Sequence, residues 1–218
     1  MNRGEIRTEL QNLIQDSSFS EATLNSYINT ALQYTCSQVF LPSLKGVDTV
    51  STSLGTAYAT LSGLSGGFSG ILRRVVNASG TPITIYQDLD MLMDGYPSLA
   101  EVGSVETVAL EGNILWYQKI PAIAETLTIL YYRNPATLSA DSDTPSDIPE
   151  YLQRLILVNG SAYFVYDVIE DGIDNEKVNT KGQFYLSFSE ARKESGVTKL
   201  REWVSKRRIN HISTYWSE

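Results

Sequence analysis

The stretch YYRNPATLSADSDTPSDIPEYL, residues 131–152, stands between two segments of different character. An aromatic, β-branched run precedes it, and an apolar pattern with helical spacing follows it. Proline, serine and three aspartates (Asp141, Asp143 and Asp147) are concentrated within it. The stretch is therefore either a metal-binding loop or a junction at which a β-domain returns the chain to a helical one.

The three aspartates support the metal hypothesis only in part. Calcium loops combine alternating aspartates with a turn glycine and a distal glutamate. Asp141 and Asp143 alternate, but Pro145 stands where the loop must bend, and Glu150 comes too early. Asp147, three residues before Glu150, is typical of a helix cap. We therefore expect a solvated junction. The alternative is a calcium- or carbohydrate-binding β-module on a helical scaffold, with Asp141, Asp143 and Asp147 as its metal ligands.

The segment before the junction has the composition of a β-domain. Its β-branched and aromatic runs are separated by Gly, Ser, Asn and Pro, as is typical of short strands joined by turns. The glycine-rich LSGLSGGFSG is expected to be a mobile loop, and QDLDMLMDGYP one or two helical turns. The seven runs are VDTVST, TAYATL, GILRRVV, TPITIY, SVETVAL, NILWYQ and TLTILYY. They predict a small antiparallel sandwich or barrel.

Helical periodicity appears on both sides of this block. Helices are expected over residues 3–16, over 21–41 after an N-cap at Ser20, between a cap at Asp147 and a stop at Gly172, and over 174–195 with Gly196 as the stop. The second helix should bury Leu24, Ile28, Ala31, Thr35 and Val39. The fourth should bury Val178, Phe184, Tyr185, Phe188 and Ala191.

These segments predict an α+β fold. Residues 1–45 and 146–197 would form a four-helix bundle. Residues 46–145, including the linker, would form a small antiparallel β-domain inserted between helices 2 and 3. Residues 198–218 would extend beyond the bundle as a C-terminal arm.

Composition excludes several classes of function. The 218-residue chain carries a formal charge of −8, which disfavours a nucleic-acid-binding surface over the whole molecule. One cysteine and one histidine leave no disulfide and few sets of metal ligands. No nucleophile elbow, P-loop or dinucleotide fingerprint is present. We expect no enzyme activity, no cofactor, no signal peptide and no membrane span, in a protein made in the cytoplasm.

The C-terminal segment differs in composition from the rest of the chain. It interleaves basic and aromatic residues, which are typical of interaction hot spots. Docking onto an acidic protein partner, packing in the core and binding of nucleic acid are all open interpretations. The candidate docking residues are Lys199, Arg201, Trp203, Lys206, Arg207, Arg208, Ile209, His211, Tyr215 and Trp216.

Several motifs occur in a fixed order along the chain. RGEIRTELQNLIQD is followed by SEATLNSYINTALQY, with its Leu–Asn–x–x–Ile–Asn–x–Ala pattern. A last hairpin then leads through Tyr–Tyr–Arg–x–Pro and an acidic linker to Ile–Pro and a helix, and two closing helices and a tail follow. Together these features, which cover most of the chain, resemble the head–tail adaptor (connector, or head-completion) proteins of tailed bacteriophages. The block from about 53 to 112 is glycine-rich and departs from the family pattern.

The resemblance implies a structural virion protein in the neck, between capsid portal and tail. It would form a homo-oligomeric ring, typically of twelve copies, that docks on the portal protein through the C-terminal arm and connects it to a tail or nozzle protein. The helical bundles would build the ring, and genomic DNA would pass through its channel without specific binding. Members of this family have no catalytic residues to transfer.

Overall fold

The computed structural model describes residues 1–16, 18–171 and 180–213, and in 168–171, 180–186 and 207–213 it describes the backbone alone. The chain divides into two compact units. Residues 1–43 and 135–218 form the helical unit, and residues 44–134 form the β-unit.

Two capped helices open the helical unit, α1 (Arg3–Ile14) and α2 (Glu21–Gln38). Asn2 and Glu5 form a capping box at the start of α1. Ser20 caps α2, as predicted, by accepting a hydrogen bond from the Thr23 N–H. The predicted buried face of the second helix is confirmed for Leu24, Ile28, Ala31, Thr35 and Val39.

The next helix of this unit is continuous but irregular. It comprises α4 (Glu150–Gln153), a π-helical segment (Arg154–Val158) and α5 (Asn159–Asp171). The prediction of Asp147 as its cap is wrong, because the N-cap is Pro149 and no side chain caps the helix. The buried Gln153 side chain donates instead to the carbonyls of Pro145 and Ile148. The predicted stop at Gly172 lies outside the described residues.

A single long helix, α6 (Thr180–Ser213), follows. It corrects the prediction of a helix that ends at Gly196 and continues as an extended arm, because it passes through Gly196 without a break. Its predicted stripe is also wrong where side chains are described, since Phe188 and Ala191 are exposed. The residues that face inwards are Ser189, Lys193, Gly196, Val197, Leu200 and Val204.

All seven strand-like runs of the sequence form strands in the β-unit. They lie in one sheet of order β1-β7-β3-β4-β5-β6-β2. A 3-10 turn (Pro42–Leu44) precedes the first strand. The strands are β1 (Lys45–Ser51), β2 (Tyr58–Thr60), β3 (Phe68–Val76), β4 (Pro82–Tyr86), β5 (Thr107–Glu111), β6 (Ile114–Gln118) and β7 (Thr126–Arg133).

The predicted fold class is wrong in its architecture. The sheet is curled and mixed rather than a small antiparallel domain, because β4 and β5 pair in parallel. A parallel pair needs a crossover, and α3 (Leu89–Gly95) lies in that connection. The helical turns predicted over QDLDMLMDGYP thus form part of the crossover that joins the two parallel strands. The described chain has five helices, with α4, the π segment and α5 counted as one, and no four-helix bundle with a small insert.

The glycine-rich segment between β2 and β3 is tied to the sheet. Leu64 is buried in the core of the β-unit. The Ser65 N–H donates to Asp48 Oδ2 at 2.6 Å, and the Tyr131 hydroxyl lies 2.6 Å from the Ser65 carbonyl oxygen. Gly66 and Gly67 have φ near +76° and +77°, a conformation that side chains disfavour. The glycines thus allow a tight turn that places Leu64 in the core.

Candidate docking site

The junction aspartates are held by the helical unit's own side chains. Arg7 donates to both oxygens of Asp141, at 2.8 and 2.7 Å, and Arg3 Nη2 donates to its Oδ1 at 2.7 Å. These hydrogen bonds, first from Arg7 and then from Arg3, lower the pKa of Asp141 to about 2. Asp141 is thus an anchor between the linker and α1.

The same linker caps α1 with its backbone. The N–H groups of Arg3 and Gly4 lack partners within their helix, and they donate to the carbonyls of Asp143 and Asp141 at 2.8 and 3.0 Å. A Cβ at Gly4 would lie 3.3 Å from the Asp141 Cβ, so a small residue suits this contact. The beginning of the chain and residues 141–143 therefore form one hydrogen-bonded structure.

Two asparagines of α2 complete this network. Asn29 pairs with the Leu138 backbone, accepting from its N–H at 2.9 Å and donating to its carbonyl at 3.2 Å. Asn25 accepts from Arg7 Nη1 at 3.2 Å. These are the two asparagines of the Leu–Asn–x–x–Ile–Asn–x–Ala motif. Three of the segments that carry the family resemblance, in α1, α2 and the linker, therefore meet in one network. It is called here the junction network: Arg3, Arg7, Asn25, Asn29, Leu138 and Asp141.

This geometry argues against the metal alternative. Both oxygens of Asp141 are bonded to arginines, and Asp143 Oδ2 accepts from the N–H groups of Ala140 and Ser139, which lower the Asp143 pKa. Asp147 is buried. No three potential ligands gather around a common point among the residues that the structure describes. Asp141 and Asp143 of the sequence hypothesis therefore serve separate structural roles.

The described docking residues of the sequence prediction all lie on the last turns of α6. Lys199, Arg201 and Lys206 are exposed, and Trp203 is half-buried. Leu200 and Val204 beside them are 0% and 6% exposed. Lys199, Trp203 and Lys206 follow i, i+4, i+7 spacing and so share one flank, with Arg201 on the other. This part of the predicted arm is a packed helix that presents cations on two sides.

A shallow groove lies along the Arg201 flank. It has a volume of about 270 Å³ and runs between the end of α2 and α6. Phe40 at its rim is 49% exposed, which is high for a phenylalanine. The groove thus combines an aromatic rim with the Arg201 cation. Its lining residues are Gln38, Val39, Phe40, Arg201, Val204 and Ser205.

Close helix packing fixes the position of α6. A Cβ at Gly196 would lie 2.7 Å from Ile156 Cγ1 in the π-helical segment, so only glycine fits without displacement. The π segment leaves carbonyls in need of donors, and Asn159 Nδ2 donates to those of Arg154 and Leu155, at 3.3 and 3.1 Å. Gly196 therefore serves helix packing.

A buried lysine provides a second attachment for α6, which sequence reasoning missed. Lys193 is 5% exposed, and its Nζ lies 3.7 Å from the ring centroid of Tyr163 on α5 and 4.8 Å from that of Tyr34 on α2. Glu194 lies 3.8 Å from the same ammonium group. Burial raises the pKa of both tyrosines. The only signal of this cluster in the sequence is a lysine at a position that faces the interior of the helical unit.

The remaining predicted docking residues fall beyond what the structure describes. The backbone of residues 207–213 continues α6. Of the side chains of Arg207, Arg208, Ile209 and His211 nothing is described, and Tyr215 and Trp216 lie outside the described residues. Within the described part of the chain, no helix is both long and apolar enough to cross a membrane.

Comparison with known protein families gives a match over most of the chain. The model of the SU10 adaptor protein family matches residues 1–209, nearly the whole chain. The match covers both compact units, the junction network and α6 as far as Ile209. A search of curated proteins finds no match.

Proposed function

Because the chain belongs to the SU10 adaptor protein family, a family of phage head–tail adaptors, we propose that it forms a ring beneath the portal. The family makes it a structural adaptor protein of the phage virion neck that interacts with portal and tail proteins. The finer proposal is that about twelve copies dock on the portal through the C-terminal end of α6 and join it to a tail or nozzle protein.

One observation carries the docking proposal. The last described turns of α6 are fixed to the helical unit by Leu200 and Val204, while the cations beside them face outwards. Residues 199–218 contain five basic and two acidic residues in a chain of net charge −8. A cationic helix end on an acidic protein gives directional attraction towards an acidic partner surface.

The family supports the expectation that the protein is structural rather than catalytic. In this proposal the helical units build the wall of the ring, and the β-units face neighbouring copies or the next tail component. The acidic chain would line the channel, because a negative wall repels phosphates and lets genomic DNA pass without being retained.

The docking proposal is tested by charge reversal on α6. Deletion of residues 199–218 would remove the buried Leu200 and Val204, so substitution at exposed positions is the cleaner test. The double variant Lys199→Glu/Lys206→Glu reverses the flank that carries Trp203, and Arg201→Glu reverses the other flank. We expect at least one of them to bind purified portal rings about tenfold more weakly, or worse, because repulsion replaces attraction.

Arg192→Glu is the matched control, since it reverses an exposed cation on the same helix about two turns before Lys199. It should bind portal rings like the wild type, and circular dichroism should show all variants folded. Undiminished binding by both Lys199→Glu/Lys206→Glu and Arg201→Glu would overturn docking through α6.

A further inference from the structure

A β-bulge gathers cations on one face of the sheet. The register of β3 against β7 shifts between Leu72 and Arg74, so two successive arginines reach the same side. Arg74 lies opposite Leu130, and the Arg73 guanidinium stands 5.5 Å from the ring centroid of Tyr132. Lys45 on β1 is the cross-strand partner of the same Tyr132. Side chains of directly paired residues share a face, so three cations meet there.

The same face carries exposed apolar surface. Val47 is 66% exposed and lies opposite Leu130 on β7. Neither Lys45 nor Arg74 makes an ion pair within the part of the chain that the structure describes. An apolar centre with a charged rim is the usual composition of a protein interface. This surface is called here the cationic face: Lys45, Val47, Arg73, Arg74, Leu130 and Tyr132.

The crossover helix α3 has the complementary composition. Leu92 is buried, and the residues around it, Asp90, Met91, Met93 and Asp94, are exposed. The two methionines are 47% and 42% exposed, and methionine adapts readily to a partner surface. No basic residue occurs between Arg74 and Lys119, so α3 lies in a purely acidic part of the β-unit.

We propose that the cationic face of one copy binds the α3 surface of a second copy. Asp90 and Asp94 would pair with the cations, and the two methionines would cover Val47 and Leu130. Within one copy no ion pair joins the two surfaces among the described residues. The contact is heterologous, and repetition of a heterologous contact generates a closed ring when the rotation closes. The inference rests on the proposed function and names the lateral contact of its ring.

Cysteine cross-linking tests the pairing directly. In a Cys36→Ser background, Val47→Cys and Met93→Cys variants are mixed and oxidised, both alone and on purified portal rings. We expect disulfides mainly between the two different variants, because a heterologous contact brings position 47 of one copy to position 93 of the next. The inference is overturned if disulfides between identical variants form as readily as those between the two different variants, or more readily. It is also overturned if no disulfide forms either alone or on portal rings.

Charge-reversing substitutions test whether ion pairs stabilise the contact, which the cross-link alone does not show. Arg74→Glu in the Val47→Cys chain should lower the yield of cross-linked product about two- to five-fold, the effect of losing exposed ion pairs. Asp94→Arg in the Met93→Cys chain should restore that yield, and Arg192→Glu, the control, should leave it unchanged. Failure of the restoring substitution would overturn the charge pairing.

Binding to portal rings is measured in the same samples. If the mixed Val47→Cys and Met93→Cys variants bind portal without forming the expected cross-link, this inference is overturned and the proposed function stands. If the mixture forms the cross-link but does not bind portal, the proposed function is overturned and this inference stands.

Discussion

Asp141 shows how one carboxylate organises the start of the helical unit. It binds Arg3 and Arg7 at hydrogen-bond distance, and both arginines come from α1. Its pKa of about 2 lies below the value of 3.8 expected for an unperturbed aspartate. Because the folded-state pKa is depressed, the ionised carboxylate stabilises the folded protein at every pH above the unfolded-state pKa. This contribution is lost as the pH falls through the folded-state pKa.

Asp141→Asn should therefore lower the melting temperature near neutral pH, because it removes a doubly bonded charge. The difference in melting temperature between wild type and variant should shrink as the pH falls from about 4 to about 2. Thermal denaturation followed by circular dichroism from pH 7 to pH 2 measures this. Asp167→Asn, at an exposed position of α5, is the control. A constant difference across that range would contradict the assigned role.

Sequence reasoning found the special residues of this network but not their partners. The aspartates were conspicuous because they are clustered, and the two asparagines because they recur in a motif. Asp141 and Arg7 are separated by 134 positions, and Asn29 and Leu138 by 109. No local pattern encodes a contact of that range. A cluster of aspartates therefore suggested a metal until the two arginines were located.

Packing between helices explains why Gly196 lies inside an element rather than at its end. A glycine after a periodic run is commonly a helix stop. Here α6 continues, because the missing side chain lets the helix approach the π-helical segment at Ile156. The glycine is therefore required by tertiary packing and does not mark the end of the helix.

Gly196→Val should destabilise the helical unit by about 1–3 kcal/mol, since the added side chain would overlap Ile156 and Leu155. Urea denaturation measures the change. Ser195→Val, on the exposed side of the same helix, should change stability by about 0.5 kcal/mol or less. Equal effects of the two substitutions would contradict the packing role of Gly196.

Strands were more predictable than their arrangement. Alternation and turn residues located all seven strands, because both signals are local. The parallel pairing of β4 with β5 depends on the connection through α3, and a seven-residue helix carries little periodic signal. The helices with long apolar faces were also predicted correctly, because their periodicity is a local signal. The inward side of α6 was predicted wrongly, because it includes the buried and charged Lys193.

Charge is unevenly distributed over the whole molecule. Against a net charge of −8, cations are concentrated at the end of α6 and on the cationic face of the β-unit. Outside these two groups the sequence contains more acidic than basic residues. Such a distribution favours oriented contacts with acidic surfaces and disfavours retention of DNA.

At this scale the sequence indicated the adaptor family, and the match over residues 1–209 confirms it. The order of helical and strand segments and the short motifs were sufficient for that. The predicted four-helix bundle with an extended arm was wrong, because α6 continues through the expected boundary and α3 adds a fifth helix.

Electron cryomicroscopy of purified portal rings mixed with this protein tests the central claim most directly. We predict a ring of adaptor copies stacked on each portal ring, with the C-terminal end of α6 at the portal surface. Portal rings without added density, or an adaptor ring whose α6 ends point away from the portal, would contradict it.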